Sequence, residues 1–363
     1  MRPGVWRAWV CAAALVALAL TTGTKAVADT PPGVWDLARD PSEGARWSLH
    51  LRVQRMLERG PMASFPDTEL RLEAARAMLE EADAARSPDP RLRFDLGVVY
   101  GLLELHPRVI EVLVPALDMA PDAPGATRAL EALAYAYAKM NRPRDELAAW
   151  RRYIPRLVDD VARATELMNM GEAEMRLGYV DDALGTFREV LDLCAELPNT
   201  DGVNSTYVLT QWDLAVALDR TGDPRGALDA AAKAMSWSWS RPGLGGQRKP
   251  YTGWDAINDS SKVFFVPEWE RQWYLALGCA AAARAASEPA EAARLWSLAE
   301  RHRETYVGRA TSSGAADPWL AIARRRLDEV RSDRAAAARR AARTAPGSSN
   351  PAQRLPEPPP TWD

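Results

Sequence analysis

Cysteine and histidine are scarce in this chain, three of each in 363 residues. Cys11 falls inside an N-terminal apolar run, which leaves Cys194 and Cys279, in segments two helical hairpins apart in the pattern described below. A disulfide needs Cα atoms within about 7 Å, so no disulfide framework is expected, and both cysteines read as small buried or half-buried side chains. His50, His106 and His302 sit in different hairpins, and no His-Glu-x-x-His, Gly-x-Ser-x-Gly or Gly-x4-Gly-Lys-Ser/Thr occurs. Each histidine therefore reads as a surface or satisfied helix residue, and no catalytic site, metal site or cofactor is expected. Strong charge of one sign is also missing: the formal net charge is −3, which argues against nucleic acid as a partner. The apolar run, from about Trp9 to Leu20, falls well short of the roughly 20 residues that span a bilayer as a helix.

That run belongs to a recognisable N-terminus. Arg2 and Arg7 precede it and Ala26-Val27-Ala28 follows, the basic, apolar, small-x-small order of a secretory signal peptide over residues 1–28. Cys11 is preceded by Ala8-Trp9-Val10, without the small-residue box of lipoprotein processing. Cleavage after Ala28 would remove Arg2, Arg7 and Lys25 and take the charge from −3 to −6. The expectation is an exported chain, periplasmic or secreted, with no transmembrane segment once the leader is gone.

The body of the chain repeats. The segment ELMNMGEAEMRLGYVDDALGTFREVLDLC places Gly171 mid-helix, Gly178 at its end, then Ala183, Phe187, Val190 and Leu191. Four further segments align with it, so that a small residue recurs at Gly97, Ala134, Gly171, Ala215 and Gly278 on the first helix of each unit. A second small residue recurs at Ala183, Ala227 and Ala292, while Glu146 departs from the pattern where a small residue is expected. Gly or Ala at these places lets two helices cross closely, with Tyr, Phe or Trp one turn away filling the gap. The pattern resembles the tetratricopeptide repeat, with its Leu-Gly and Tyr on one helix and Ala-x3-Phe on the next. The resemblance covers about 91–306 and implies an all-α superhelical solenoid of helical hairpins, each burying its apolar face against its neighbours.

The rest of the chain is placed around this array. Residues 29–90 read as a degenerate repeat or N-terminal cap of two amphipathic helices, with Asp67 or Thr68 as N-cap of the second. Residues 307–343 read as a capping helix starting at Asp317-Pro318, with Trp319, Leu320, Ile322, Ala323, Leu327 and Val330 as its apolar stripe. The Pro-rich tail, 344–363, is expected to be disordered. Arg324, Arg325, Arg326, Arg331, Arg334, Arg339, Arg340 and Arg343 could meet an anionic surface, but Asp328, Glu329 and Asp333 in the same run favour a solvated helix.

Successive small sites are 37, 37, 44 and 63 residues apart, against a unit of about 34 residues. The last interval thus carries an insertion, at about 236–270, holding Trp237, Trp239, Trp254, Phe264, Phe265 and Trp269. Arg241-Pro242-Gly243 is expected to end the preceding helix, a polar loop to follow, and 262–267 to run extended before helix resumes at Glu268. An unsupported Val-Phe-Phe-Val is an aggregation hazard. Packing against the solenoid, in its groove or along an edge, is therefore favoured over an open binding loop.

In tetratricopeptide arrays the first helices line a concave groove that holds peptide segments. The resemblance implies such a groove here, with Phe94, Val98, Arg128, Glu131, Tyr135, Lys139, Met168, Glu172, Arg176, Trp212, Asp219 and Arg220 facing it. The Lys/Asn/Arg set with which chaperone-binding relatives clamp a C-terminal carboxylate is not evident. The expectation is a non-catalytic scaffold of the bacterial cell envelope that binds another protein or peptide segment. The alternative is a cell-wall glycan module using the tryptophans of the insertion, and behind it an enzyme using Asp255, Asp259 or Glu268.

Overall fold

The computed structural model describes residues 31–58, 65–242, 248–259, 263–314 and 317–344. The leader, 1–28, and the tail beyond Thr344 lie outside the described residues. Two compact units divide the chain, Met1–Tyr274 and Leu275–Asp363.

In the first unit the helices follow in hairpins: α1 (Val34–Arg39), α2 (Glu43–Glu58), α3 (Phe65–Glu81), α4 (Pro90–Leu102), α5 (His106–Met119), α6 (Ala126–Lys139), α7 (Pro143–Tyr153), α8 (Asp160–Arg176), α9 (Val180–Glu196), α10 (Asp201–Thr221) and α11 (Pro224–Ser236). α4 packs on α5, α6 on α7, α8 on α9 and α10 on α11. First helices also meet, α4 with α6 and α8 with α10, as stacking of successive hairpins requires. The starts are written locally. Asp89, Asp159, Thr200 and Asp223 each accept a backbone N–H of the first turn, and Pro90, Pro143 and Pro224 occupy early helical positions where no N–H is needed. α10 ends on Gly222 at φ 97°, a left-handed position that costs glycine little.

The small sites behave as close-packing demands. A Cβ on Gly97 would stand 2.1 Å from Leu113 Cδ2, and one on Gly171 would stand 2.5 Å from Phe187 Cε1. Ala134, Ala183, Ala215 and Ala227 are buried, as are Trp150 and Phe187, the large partners one turn away. α2 and α3 form the N-terminal hairpin read from the sequence, but α3 begins at Phe65, so neither Asp67 nor Thr68 caps it.

The insertion is more ordered than expected. α11 stops at Ser236, five residues before Arg241, and the chain turns into a two-stranded antiparallel hairpin, β1 (Ser238–Pro242) and β2 (Arg248–Thr252). A short helix, α12 (Gly253–Asn258), follows, opened by a capping box between Thr252 and Asp255. The polar loop of the sequence reading is thus corrected to a β-hairpin and a helix, and Trp-Ser-Trp-Ser at 237–240 carries the period of two that a strand needs. Val263–Pro267 then runs without helix or strand, as read, and Glu268–Glu270 forms a 3-10 turn leading into α13 (Arg271–Ala285).

In the second unit α14 (Pro289–Ser312) packs on α15 (Leu320–Thr344). Trp319, Ala323, Leu327 and Val330 of the expected stripe are buried, whereas Leu320 and Ile322 are half-buried. Arg331 reaches Glu304 at 2.8 Å and Glu300 at 3.2 Å, and Arg334 reaches Glu300 at 2.7 Å. Part of the arginine run is therefore spent within this helix pair. Cys194 and Cys279 are both buried free thiols, and burial pushes each up to about 11.

Candidate functional site: the cleft beneath the insertion

One surface brings the first helices and the insertion together. Tyr135 and Ala138 of α6, Glu146 and Trp150 of α7, Asn169, Glu172, Met175 and Arg176 of α8, and Arg220 of α10 line a narrow cleft with about 40 Å³ of free space. Its remaining wall is the chain's own Phe264, Phe265, Val266, Glu270 and Tyr274. Phe264, Phe265 and Val266 therefore lie beside first-helix residues and not in an open loop.

Three contacts seat this segment. Lys139 Nζ stands 3.5 Å from the centroid of the Phe264 ring, a cation over an aromatic face. Phe265 meets the Tyr274 ring edge-on at 5.2 Å. Glu270 accepts from Arg220 Nη2 at 2.6 Å, and the Arg220 guanidinium in turn lies 4.5 Å from the Trp273 ring. The start of α13 is bound to α10 by Trp273 Nε1–H donating to Asp219 at 2.8 Å and Tyr274 O–H donating to Asp213 at 2.8 Å.

Buried carboxylates run beneath the cleft. Glu166 of α8 accepts from Asn169 Nδ2 at 2.8 Å and from Tyr135 O–H at 3.3 Å. Glu131 of α6 is also buried, and its Oε1 has no hydrogen-bond partner. Burial raises the pKa of Glu166, with the nearby Glu131 adding to the effect; burial likewise raises Glu131, against the pull of Arg128. Burial raises Asp213 as well, and Glu172 adds to it. Glu172 itself is pushed up to about 7, by burial first, with Arg176 opposing. A second polar seam lies nearer the N-terminus, where Asp95 joins His50 Nδ1 at 2.7 Å and Gln54 Nε2 at 2.6 Å.

Of the groove residues read from the resemblance, Tyr135, Glu172, Arg176 and Arg220 line the cleft, and Lys139 stands over its occupant. Phe94 does not: it is 2% exposed in the core. Trp212 is fully buried, donates its indole N–H to Gly253 O at 3.0 Å and packs against Trp254, so it anchors the insertion and faces no groove. Glu131 and Asp219 are buried beneath the surface. Arg128 is half-buried and reaches Gln54 at 3.4 Å, away from the cleft. The sequence period identifies one side of each first helix and not what covers it: the insertion and the start of α13 cover Trp212 and Asp219, whereas Phe94 packs by Gly125 before α6 and Glu131 lies by Arg128 and Tyr153.

Glu146, Asn169, Glu270 and Tyr274 line the cleft without having been singled out for it. For Glu146 a signal existed. It is the one carboxylate at a place where the repeat asks for a small residue, and it is held there by ion pairing to Arg176.

The insertion's tryptophans are tied to the array. Trp237 Nε1–H donates to Asn204 Oδ1 at 3.0 Å while its ring meets Tyr207, and Trp239 Nε1–H donates to Asp201 Oδ1 at 2.6 Å with its ring edge-on to Tyr251. Trp269 is half-buried with its indole N–H unpartnered. Asp255 is spent in the capping box, Asp259 accepts from Tyr251 O–H at 2.8 Å and pairs with Arg241, and Glu268 is exposed.

Paired helices with Gly97 and Gly171 pressed on Leu113 and Phe187 define an all-α protein of tetratricopeptide-type hairpins. No family model and no curated protein matches the chain. Solved structures similar to it include the nearly identical TPR-like repeats of a Podosopora anserina protein described as a kinesin light chain. A single-substitution form of these repeats is 15% identical with a TM-score of 0.40, over 52% of this chain and 92% of that one. Another structure of them is 14% identical with a TM-score of 0.37, over 63% and 100%. A Rap protein complexed with competence and sporulation factor is 13% identical with a TM-score of 0.40, over 86% and 83%.

Proposed function

We propose that this protein is a non-catalytic interaction scaffold, exported to the cell envelope, that holds an extended segment of a partner protein against its first helices. The observation that carries the reading is the cleft itself. An irregular, aromatic-bearing segment already lies against α6, α8 and α10, so the surface offers the aromatic contacts and the charged groups that a peptide requires. Export rests on the order of Arg2, Arg7, the apolar run and Ala26-Val27-Ala28.

A photo-crosslinking residue placed at Asn169, in the cleft, should trap a partner in the producing cell. The same residue at Arg188, on the exposed outer side of α9, should not. Equal trapping at the two places, or none at either, contradicts the reading. Export is checked separately by the mass of the mature N-terminus, expected at Asp29.

A second reading has one observation in its favour. Asn199, Asp201, Asn204, Trp239 and Arg248 line a recess of about 500 Å³ beside β1, a mixture of indole, amide and carboxylate that suits a sugar ring. Both nearby indole N–H groups are already satisfied within the protein. Titration with soluble cell-wall glycan, followed by tryptophan fluorescence, would have to give a saturable change abolished by Trp239→Ala.

A further inference from the structure

The junctions between successive hairpins are not alike. α4 packs closely on α6, and α8 on α10, whereas α6 approaches α8 loosely and side chains fill the space between them. The repeat departs from its pattern at the same place. Glu146 of α7, where a small residue is expected, is paired to Arg176 of α8, and Trp150 Nε1–H donates to Glu146 at 3.3 Å.

The filling of this junction is acidic and enclosed. Glu131 comes from α6 and Glu166 from α8, and neither is more than 5% exposed. Tyr135 O–H and Asn169 Nδ2 donate to Glu166, while Glu131 faces Tyr153 of α7 and keeps one oxygen, Oε1, without a partner. A charge on Glu131 opposes a charge on Glu166, in surroundings from which water is excluded. Among the described residues Arg128 is the one cation that bears on the pair. It acts on Glu131 and also on Asp95 of α4, which His50 of α2 holds from the other direction. Of the other helices packed on α6 and α8, none of α5, α9 and α10 brings a charged group to bear on either acid among the described residues.

We infer that the α6/α8 junction is a hinge set by protons, closed while no more than one of Glu131 and Glu166 is ionised and loosened when both are. The second charge needs water. The way in is short, because Tyr135 and Asn169, the donors to Glu166, also line the cleft. Opening stays local, because the close crossings of Gly97 on Leu113 and Gly171 on Phe187 lie within hairpins and not at this junction. The same two helices carry the walls of the cleft, Tyr135 and Ala138 on α6, Asn169 and Glu172 on α8, so the hinge sets its width. What that width admits rests on the scaffold reading above; the hinge itself does not.

The test is hydrogen exchange of the full chain, read by mass spectrometry at about pH 6 and about pH 9, with each rate divided by the intrinsic exchange rate at that pH. Residues 126–139 of α6 and 160–176 of α8 are compared with 224–236 of α11, in the wild type, Glu131→Gln and Glu166→Gln, each checked for native helicity by circular dichroism. In the wild type, protection of α6 and α8 should fall about tenfold from the lower pH to the higher, with α11 unchanged. Either substitution should remove most of that fall, because one charge is then left to accommodate. No fall in the wild type, a fall shared equally by α11, or a fall that either folded variant leaves intact overturns the hinge. Infrared spectra of the wild type need no variant: a carboxylic-acid C=O band should be lost over the same interval, and a fall in protection without that loss also overturns it. The Asn169 crosslink can succeed or fail without bearing on any of these outcomes.

Discussion

The α8/α9 hairpin and the insertion between α11 and α13 are held by opposite means. In the hairpin the decisive contact is apolar and close: Gly171 lets Phe187 come within what would be 2.5 Å of a Cβ, and Ala183, Phe187 and Val190 are fully buried. In the insertion the decisive contacts are directed and polar, from Trp212, Trp237 and Trp239 indoles to named oxygens, from Arg241 to Asp201 and Asp259, and from Arg220 to Glu270. The first kind of contact is written in a repeating pattern because every hairpin needs it. The second is written once, by residues far apart in sequence.

The largest effect is expected where the two kinds meet. Trp212 is fully buried among the helices and also donates to Gly253 O. Trp212→Ala should cost about 3–5 kcal/mol, the range for a buried tryptophan cut to alanine. It should also free the insertion, so that limited proteolysis within 253–267 accelerates more than the loss of global stability explains. A large loss of stability with unchanged relative cleavage of the insertion would mean that Trp212 serves the hairpins alone.

Next comes Gly171→Ala. Alanine in a helix interior normally gains up to about 1 kcal/mol over glycine. Here the added Cβ meets three atoms of the Phe187 ring at 2.5 to 3.0 Å, and that ring has no free side to move toward. The expected net result is a destabilisation of about 1–3 kcal/mol, seen as a lower urea midpoint with unchanged cleavage near Phe264. A midpoint at or above wild type would show that the crossing can open.

The contrast also explains what could be read in advance. Gly97, Gly171 and Ala183 announce helix crossings because an α-helical hairpin has few ways to pack closely, so the all-α array and the placing of the insertion were legible. The β-hairpin was not, although Trp237-Ser238-Trp239-Ser240 alternates as a strand does, because Arg241-Pro242 read as the end of a helix. Phe94 and Trp212 were read into the groove from helix periodicity, which gives a side of the helix and not what covers it. Glu270 and Tyr274 reach the cleft because Asp213, Asp219 and Arg220 hold the start of α13 against α10, a pairing that spans the whole insertion. The deviation at Glu146 was visible, but its reason, Arg176, lies on a different helix.

A third variant addresses the buried acids under the cleft. Glu166 is fully buried, and burial and Glu131 raise its pKa above the ordinary carboxylate range. As pH rises from that range, the unfolded chain releases the proton first while the native state still binds it. The unfolded state then holds fewer protons, so stability falls with rising pH. Glu166→Gln removes the titration and keeps an oxygen for Asn169 or Tyr135. It should stabilise the protein by about 1–3 kcal/mol at pH 8 and change little near pH 4. Urea midpoints taken across that interval check the sign, and a variant whose advantage is the same at both ends would show that Glu166 does not titrate there.

The smallest effect sharpens the comparison from inside one hairpin. Gly185 of α9 lies on the same pair of helices as Gly171, but it is exposed, and a Cβ there would have nothing within 4 Å. Gly185→Ala therefore keeps the propensity gain and meets no clash, for a stabilisation of about 0.5–1 kcal/mol. The two substitutions add the same methyl group to adjoining helices and should move the urea midpoint in opposite directions. Their difference isolates the close crossing with Phe187 from the cost of glycine in a helix. Shifts of the same sign would mean that the small residues of the repeat are tolerated by the packing and not demanded by it.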